Sequence, residues 1–297
     1  MKVAVHSGRF HADDVFAVAA LRLAGVLTEL IRTREPAQLA SCDLRVDVGR
    51  RYNPQAGDFD HHQPGGAGVR PNGVPYASFG LIWKEYGAPV AGSSEAAAIV
   101  DAELVQLIDA DDCGYDLFTA KLPGLRPLTV SRMIAQLNPS WQTDPDEAAM
   151  DTSFMQAVAF AAPVLQQAIT QAREQLAGEA LVRTAIRQAD DPRIIMLDRA
   201  APWKQTVVTG APQALYVLHP VWPAVRQQWE VSAVPKQLGS FEDRCPLPLA
   251  WAGKAGAELA AVSGVTDAVF CHTGRFMAIA ESKAGAEQLA RRALISA

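Results

Sequence analysis

Three short stretches near the start of the chain combine imidazoles with carboxylates: His6-Ser7-Gly8-Arg9-Phe10-His11-Ala12-Asp13-Asp14, Val46-Asp47-Val48-Gly49 and Asp58-Phe59-Asp60-His61-His62. Four of the six histidines fall within the first 62 residues, beside Asp13, Asp47 and Asp60. Solvated surface charge does not distribute that way. Mixed His and Asp donors suit Mn²⁺, Zn²⁺ or Fe²⁺, and a carboxylate shared by two such ions holds them about 3.5–4 Å apart, as two-metal hydrolysis requires. A fourth acidic stretch, Asp109, Asp111 and Asp112, closes an apolar helical pattern at the end whose dipole ordinarily attracts cations. A bound cation would resolve that conflict.

Each cluster also has a plainer reading. A single histidine near a strand end is more often a surface or capping group than a ligand, and His61-His62 would fit a turn. Asp13 and Asp14 would both be stabilised at a helix N-terminus, which is the role we assign to Asp14. Asp109 and Asp112 lie three residues apart and share a helix face, so one serves as ligand and the other as support or cap, with Asp109 the choice for ligand. It is the accumulation of such residues in one half of the chain that favours metal.

Positioning these groups requires strands that end where the clusters begin. Lys2 to Val5 is a short apolar run that breaks at His6-Ser7-Gly8, and Asp13 to Leu23 then carries apolar residues at helical spacing. Leu27 to Ile31 and Leu44 to Val48 read as further strands. The alternation predicts a parallel sheet, whose strand ends collect loops and helix N-termini and hence chemistry. Gln63 to Asn72, rich in Gly and Pro, reads as a mobile loop suited to a lid, and Ser94 to Asp112 as a helix.

Asp144 to Gln175 is Ala/Gln-rich and helical in pattern. Beyond it, strands are expected at Ile194 to Leu197, Ala214 to Leu218, Trp229 to Val234, Ala268 to His272 and Phe276 to Ile279, with helices at Lys254 to Val262 and Ala284 to Leu294. The expected organisation is therefore an α/β metal-binding domain over residues 1–145, a mostly parallel sheet flanked by helices. A helical connector over 146–180 and a smaller α+β domain over 181–297 follow.

The chain has 297 residues, 49% of them hydrophobic and 20% charged, enough to build a core and too apolar for disorder. With 27 Lys+Arg against 32 Asp+Glu the net charge is −5, which excludes a basic nucleic-acid coat but not a locally basic groove. Four cysteines without C-x-x-C spacing and an opening that turns polar by His6 point to a reducing cytoplasm. The most apolar stretch read from the sequence, Val15 to Leu27, is interrupted by Arg22 and too short for a membrane span.

Taken in order, His6…His11-x-Asp13, Val46-Asp47-Val48-Gly49, Asp60-His61-His62-Gln63 and Asp109-x-x-Asp112-x-Gly114 resemble the DHH phosphoesterase superfamily. More closely, the chain resembles the melanocyte-proliferating-gene family. That match runs over nearly the whole length, through Arg32-Thr33-Arg34, Ala77-Ser78-Phe79-Gly80-Leu81-Ile82-Trp83, Leu137-Asn138-Pro139-Ser140-Trp141, Pro202-Trp203-Lys204, Val234-Pro235-Lys236, Ser240-Phe241-Glu242-x-Arg244 and Phe270-x-His272-x-x-Gly274-x-Phe276. The resemblance implies a two-domain phosphoesterase with a dinuclear site between domains, preferably manganese, and 3′–5′ exonuclease action on RNA. By position, His6, His11 and Asp47 would hold one ion, and Asp13, Asp47, His61 and Asp109 the other. Two departures stand out: the superfamily's His-x-x-x-Asp-x-Asp spacing is replaced by His6, His11 and Asp13, leaving Mg²⁺, Zn²⁺ and Fe²⁺ open beside Mn²⁺. A C-terminal Gly-Gly-His signature is also missing.

The expected reaction is hydrolysis of a phosphodiester in RNA or a short oligonucleotide by a water activated between two metal ions. The sequence has no G-x-S-x-G elbow, H-E-x-x-H helix or P-loop to support another hydrolytic chemistry. His62, with Asp60 and Asp112, is the expected proton-handling set. Lys204, Lys236 and Arg244 are candidate phosphate clamps, His272 a substrate contact and Trp203 a base-stacking group, although an aromatic in a strand-rich domain is more often core. The alternatives are a non-catalytic metal-containing nucleic-acid-binding protein and a small-nucleotide phosphatase or pyrophosphatase. A homodimer is compatible with all three.

Overall fold

The computed structural model describes residues 1–221 and 228–296, which divide into two units, Met1–Glu174 and Gln175–Ala297. In the first unit the order is β1 (Lys2–Val5), α1 (Ala12–Leu23), β2 (Glu29–Arg32), α2 (Pro36–Ala40), β3 (Leu44–Val46), β4 (Tyr52–Asn53), β5 (Asp58–Phe59), α3 (Ser78–Ala91), α4 (Ser94–Val100), α5 (Gln106–Asp112), α6 (Val130–Ala135) and the start of α7 (Glu147–Gln188). The sheet runs β2-β1-β3-β5-β4, parallel except where β4 meets β5. Val3, Ala4 and Val5 are inaccessible, as expected of a central parallel strand covered on both faces. Helix α1 is buried from Ala12 through Leu21, and Phe16 meets Phe79 of α3 at 5.5 Å between rings. On the opposite face Ala4, Cys42 and Val48 cluster with Leu39 of α2.

The second unit contains the end of α7, β6 (Ile194–Met196), α8 (Lys204–Gly210), β7 (Tyr216–Pro220), β8 (Trp229–Ala233), α9 (Gly256–Ser263), β9 (Ala268–Cys271), β10 (Met277–Ala280) and α10 (Lys283–Ile295). Its sheet order is β6-β7-β8-β10-β9, antiparallel apart from β6 with β7. Tyr216, Leu218, Val231, Ala278 and Leu289 form its buried centre. The expected α/β and α+β characters of the two halves are both present.

Three expectations need correction. The helix expected over Ser94 to Asp112 is interrupted by a π-helical segment at Asp101–Val105, which lengthens one turn and re-phases everything after it. The Gly/Pro-rich loop is not free along its length: Arg70 is buried, bridges Asp101 and Asp109, and Val69 pairs with Pro75. The connector expected over 146–180 is not separate either, because the division falls at Glu174 within the 42-residue α7.

The earlier part of that helix belongs to the first core. Phe154, Ala157, Val158, Ala161, Leu165 and Ile169 are essentially inaccessible, and Phe154 lies edge-on to Phe10 at 5.6 Å. By length and a mean hydropathy of 1.2, α7 contains a stretch sufficient to cross a membrane, of which 28% is buried inside the protein. Replacing Phe154 with Ala should lower stability by roughly 3–5 kcal/mol through the cavity left behind, measured by urea unfolding of the whole chain. A loss below about 1 kcal/mol would show that this part of α7 is not integral to the core.

Candidate metal centre

The four acidic and imidazole-bearing stretches meet at the carboxyl ends of β1, β3 and β5. His6 is the first residue after β1 and is almost inaccessible; its Nε2 lies 3.2 Å from both Asp14 Oδ2 and Asp47 Oδ2. The exposed His11 precedes α1, its backbone N–H donating to Asp14 Oδ1 at 3.0 Å, and its ring stands 5.9 Å from that of His6. Asp14 thus caps the helix as expected, and its second oxygen also faces His6. Asp13, in the same first turn, is fully buried.

Asp47 follows β3 with φ +55, a left-handed conformation uncommon outside glycine but tolerated by Asp. That twist turns its carboxylate into the centre of the cluster. Oδ1 accepts a hydrogen bond from Ser78 Oγ at 3.0 Å and lies 3.4 Å from both His61 Nε2 and His62 Nδ1. His61 Nε2 is also 3.2 Å from Asp112 Oδ2. Beside it, Asp60 accepts from the His62 backbone at 3.0 Å and the Arg50 backbone at 2.6 Å, and meets His62 Nδ1 at 2.8 Å. His62 is half-exposed, whereas Asp60 is buried.

Three sets of donors lie with their ligand atoms within 4.8 Å of one another: His6, His11 and Asp47; Asp47, His61 and His62; and His11, Asp13 and Asp112. Asp47 and His11 each belong to two sets, so the arrangement has the shared members that a pair of neighbouring cations needs. Asp13 Oδ1, Asp14 Oδ2 and His61 Nε2 are buried without a hydrogen bond of acceptable geometry. Polar atoms in that position are costly unless something satisfies them. Imidazole nitrogens and carboxylate oxygens at this density fit divalent cations of the Mn²⁺, Fe²⁺ or Zn²⁺ kind.

The electrostatics agree. Burial pushes the Asp13 carboxyl well above its usual range, with Asp47, Asp112 and Asp14 adding repulsion. Burial opposes the charge on Asp47 too, but the His6, His61 and His62 rings packed 3.2–3.4 Å from its oxygens hold it well below. His6 would titrate low if burial alone acted, yet Asp14 and Asp47 push it up to about 10. His61 is likewise raised against its burial by Asp112 and Asp47. The acids and imidazoles of the cluster therefore set one another's charge, against burial that opposes charge on all of them.

Asp109, the expected ligand, is a correction. It points elsewhere: its carboxylate accepts from Gly80 N at 2.9 Å and pairs with Arg70 at 2.8 Å, wholly buried, and Asp112 takes the place beside His61. Burial raises Asp109 to about 7 although Arg70 pulls it down. Gly80 has no alternative here, because a Cβ would collide with the Asp109 carboxylate and the Arg70 guanidinium. Ser78, Gly80 and Arg70 carry the support of the site; the sequence offered Ser78 and Gly80 only as part of the family match, with no role, and gave no signal for Arg70. The one available signal was a Ser-x-Gly at the start of a helix.

In the second unit, Trp203 is 6% exposed within the core beside Val182, Leu197 and Val207, so it offers no face for base stacking. Arg244 is committed to the carbonyls of Val208, Ala211 and Ala214 at 2.7–2.9 Å, a structural role in place of the expected phosphate clamp. Lys236 forms an exposed pair with Glu242 at 2.9 Å. Lys204 is exposed, with its ammonium 6.0 Å from the Trp203 ring. His272 accepts from Gly274 N at 2.9 Å and lies between Phe276 and Phe270, at 4.3 and 6.3 Å.

Comparison with known proteins adds relatives to this geometry. The model of an uncharacterised protein family (UPF0160) matches residues 2–294. The MYG1 exonuclease of Mus musculus is 31% identical, with 99% of this chain and 84% of that protein aligned; that of Homo sapiens is 31% identical over 99% and 85%. The MYG1 protein of Saccharomyces cerevisiae is 30% identical over 99% and 95%. Among solved structures, the pGpG-specific phosphodiesterase PggH from Vibrio cholerae aligns over 100% of this chain and 99% of its own at 12% identity and a TM-score of 0.33, too loose to carry an argument.

Two outcomes follow from the site's construction. Mn²⁺ at about a hundredfold excess over its dissociation constant should stabilise the chain by about 2.7 kcal/mol, and the Asp47→Asn chain should show little of this in thermal unfolding. An equal shift in both would remove Asp47 from the ligand set. Gly80→Ala should lower stability by about 1–3 kcal/mol in the same assay, since the added methyl must push the buried Asp109–Arg70 pair aside.

Proposed function

The chain belongs to the MYG1 exonuclease family, and on that premise we propose that it hydrolyses phosphodiester bonds with two divalent cations held around Asp47. The single observation that carries this reading is the convergence of three donor sets on shared residues at the floor of a cavity of about 620 Å³, lined by His6, His11, Asp47, Asp60 and His62. We assign His6, His11 and Asp47 to one ion, and Asp13, Asp47, His61 and Asp112 to the other. Mn²⁺ is the preferred occupant. When bound, such ions lower the pKa of a nucleophilic water and neutralise charge on the phosphoryl oxygens.

The protein's own groups do the rest. Asp47, fixed by Ser78, is shared between the two ligand sets. His62 is positioned by Asp60, and hydrogen bonding with Asp47, then with Asp60, raises its pKa against partial burial. Held by Asp60 and half-exposed to solvent, its ring can deliver a proton to the leaving oxygen. Asp60 acts through His62 and is a positioning residue. The substrate we propose is RNA or a short oligonucleotide degraded from its 3′ end, in a DHH-type phosphoesterase site. Four free thiols are in keeping with a reducing cytoplasm.

The test incubates the purified chain and Asp47→Asn with Mn²⁺ and labelled RNA, DNA and bis-nitrophenyl phosphate. Shortening of RNA from its 3′ end, abolished by chelation and by Asp47→Asn, is the expected result. Metal binding with no cleavage of any diester would overturn it, and orthophosphate release from small nucleotides without shortening would favour a phosphatase. His62→Gln should lower kcat by about 10²–10⁴ while leaving the Mn²⁺ affinity within severalfold; an equal loss of both would make His62 a ligand.

A further inference from the structure

The cavity that holds the metal-ligating groups has a basic wall. Arg9, Arg34 and Arg50 line it together with His6, His11 and Asp47, and all three are exposed to solvent. They come from three separate loops, after β1, β2 and β3. Their neighbours are neutralised: Arg32 pairs with Asp151, Arg45 and Arg51 with Asp58, and Arg70 with Asp101 and Asp109. Among the described residues, Arg9, Arg34 and Arg50 make no such ion pair. The carboxylates in the same cavity are already engaged, Asp47 by Ser78 and the histidines, and Asp60 by His62 and the Arg50 backbone.

Three cationic side chains lining one cavity without a counter-ion repel each other, and the ions of the proposed reaction would add further positive charge there. A concave basic wall of this kind focuses potential on an incoming anion. Guanidinium forks match phosphoryl oxygens in pairs. One phosphate, the one being cleaved, is addressed by the metal ligands on the cavity floor, so three further cations imply a second. We infer that Arg9, Arg34 and Arg50 form a subsite for another phosphate of the same substrate. This rests on the phosphodiesterase reading above and sharpens it: the preferred oligonucleotide carries a phosphate besides the scissile one.

Arg50 also offers a clean means of testing. Its φ is +54, so glycine accepts the backbone conformation and removes the guanidinium without strain. The experiment compares ApA, which has a single phosphate, with pApA and ApApA, on the wild-type chain and on the triple variant R9Q/R34Q/R50G. Both kcat/KM with Mn²⁺ and equilibrium binding in chelator, where nothing is turned over, are measured. The wild type should favour pApA or ApApA over ApA by about tenfold or more, and in the triple variant the ratio should fall towards one while the melting temperature is retained. Preference for pApA alone assigns the subsite to a terminal phosphomonoester; equal preference for ApApA assigns it to an internal diester.

The two readings fail differently. Equal cleavage and equal binding of all three compounds by the wild type, or a preference that survives in the triple variant, would overturn the subsite and leave the phosphodiesterase intact. No cleavage of any compound, with the binding preference present and lost in the variant, would overturn the phosphodiesterase and leave the subsite.

Discussion

Everything at the site depends on gathering carboxylates in a place that water does not reach. Asp13, Asp14, Asp47 and Asp60 are all essentially inaccessible, and in a low-dielectric interior their mutual repulsion is severe unless positive charge is interleaved. The fold achieves this by ending three adjacent parallel strands at one level and placing an imidazole-bearing loop after two of them. Asp47, on the middle strand, accepts a backbone torsion uncommon outside glycine, at a strain of about 1–3 kcal/mol, so that one carboxylate reaches His6, His61 and His62 at once.

His6, Asp47 and the Asp60-His61-His62 run were legible because they lie directly after strands, and β1, α1 and β3 announce themselves by buried apolar runs and helical spacing. The family resemblance then ordered them. What the sequence hid was the supporting layer. Helix α3 contains Gly80, Gly87 and Pro89, a composition that argues against a helix, yet it is one of the most buried elements of the unit. Its glycines are present for close approach, which no local pattern reveals.

The choice between Asp109 and Asp112 was beyond sequence for a related reason. An uninterrupted helical count through 94–112 ignores the π segment at Asp101–Val105, whose extra residue rotates α5 and changes which carboxylate faces the cluster. The partner that captures Asp109 is Arg70, from a loop whose Gly-rich composition suggested only mobility. In the second unit the same limit applies: Arg244 and Trp203 had the right chemistry for a ligand, but burial and three carbonyls had already claimed them.

The contact of Gly80 with Asp109 and Arg70 carries an implication for substitution. A larger residue at position 80 must displace the Asp109 carboxylate and the Arg70 guanidinium, and shortening 109 to make room deprives Arg70 of the buried one of its two counter-charges. Each first step is harmful alone. The trio is thus interdependent: what one position accommodates is set by the side chains present at the other two.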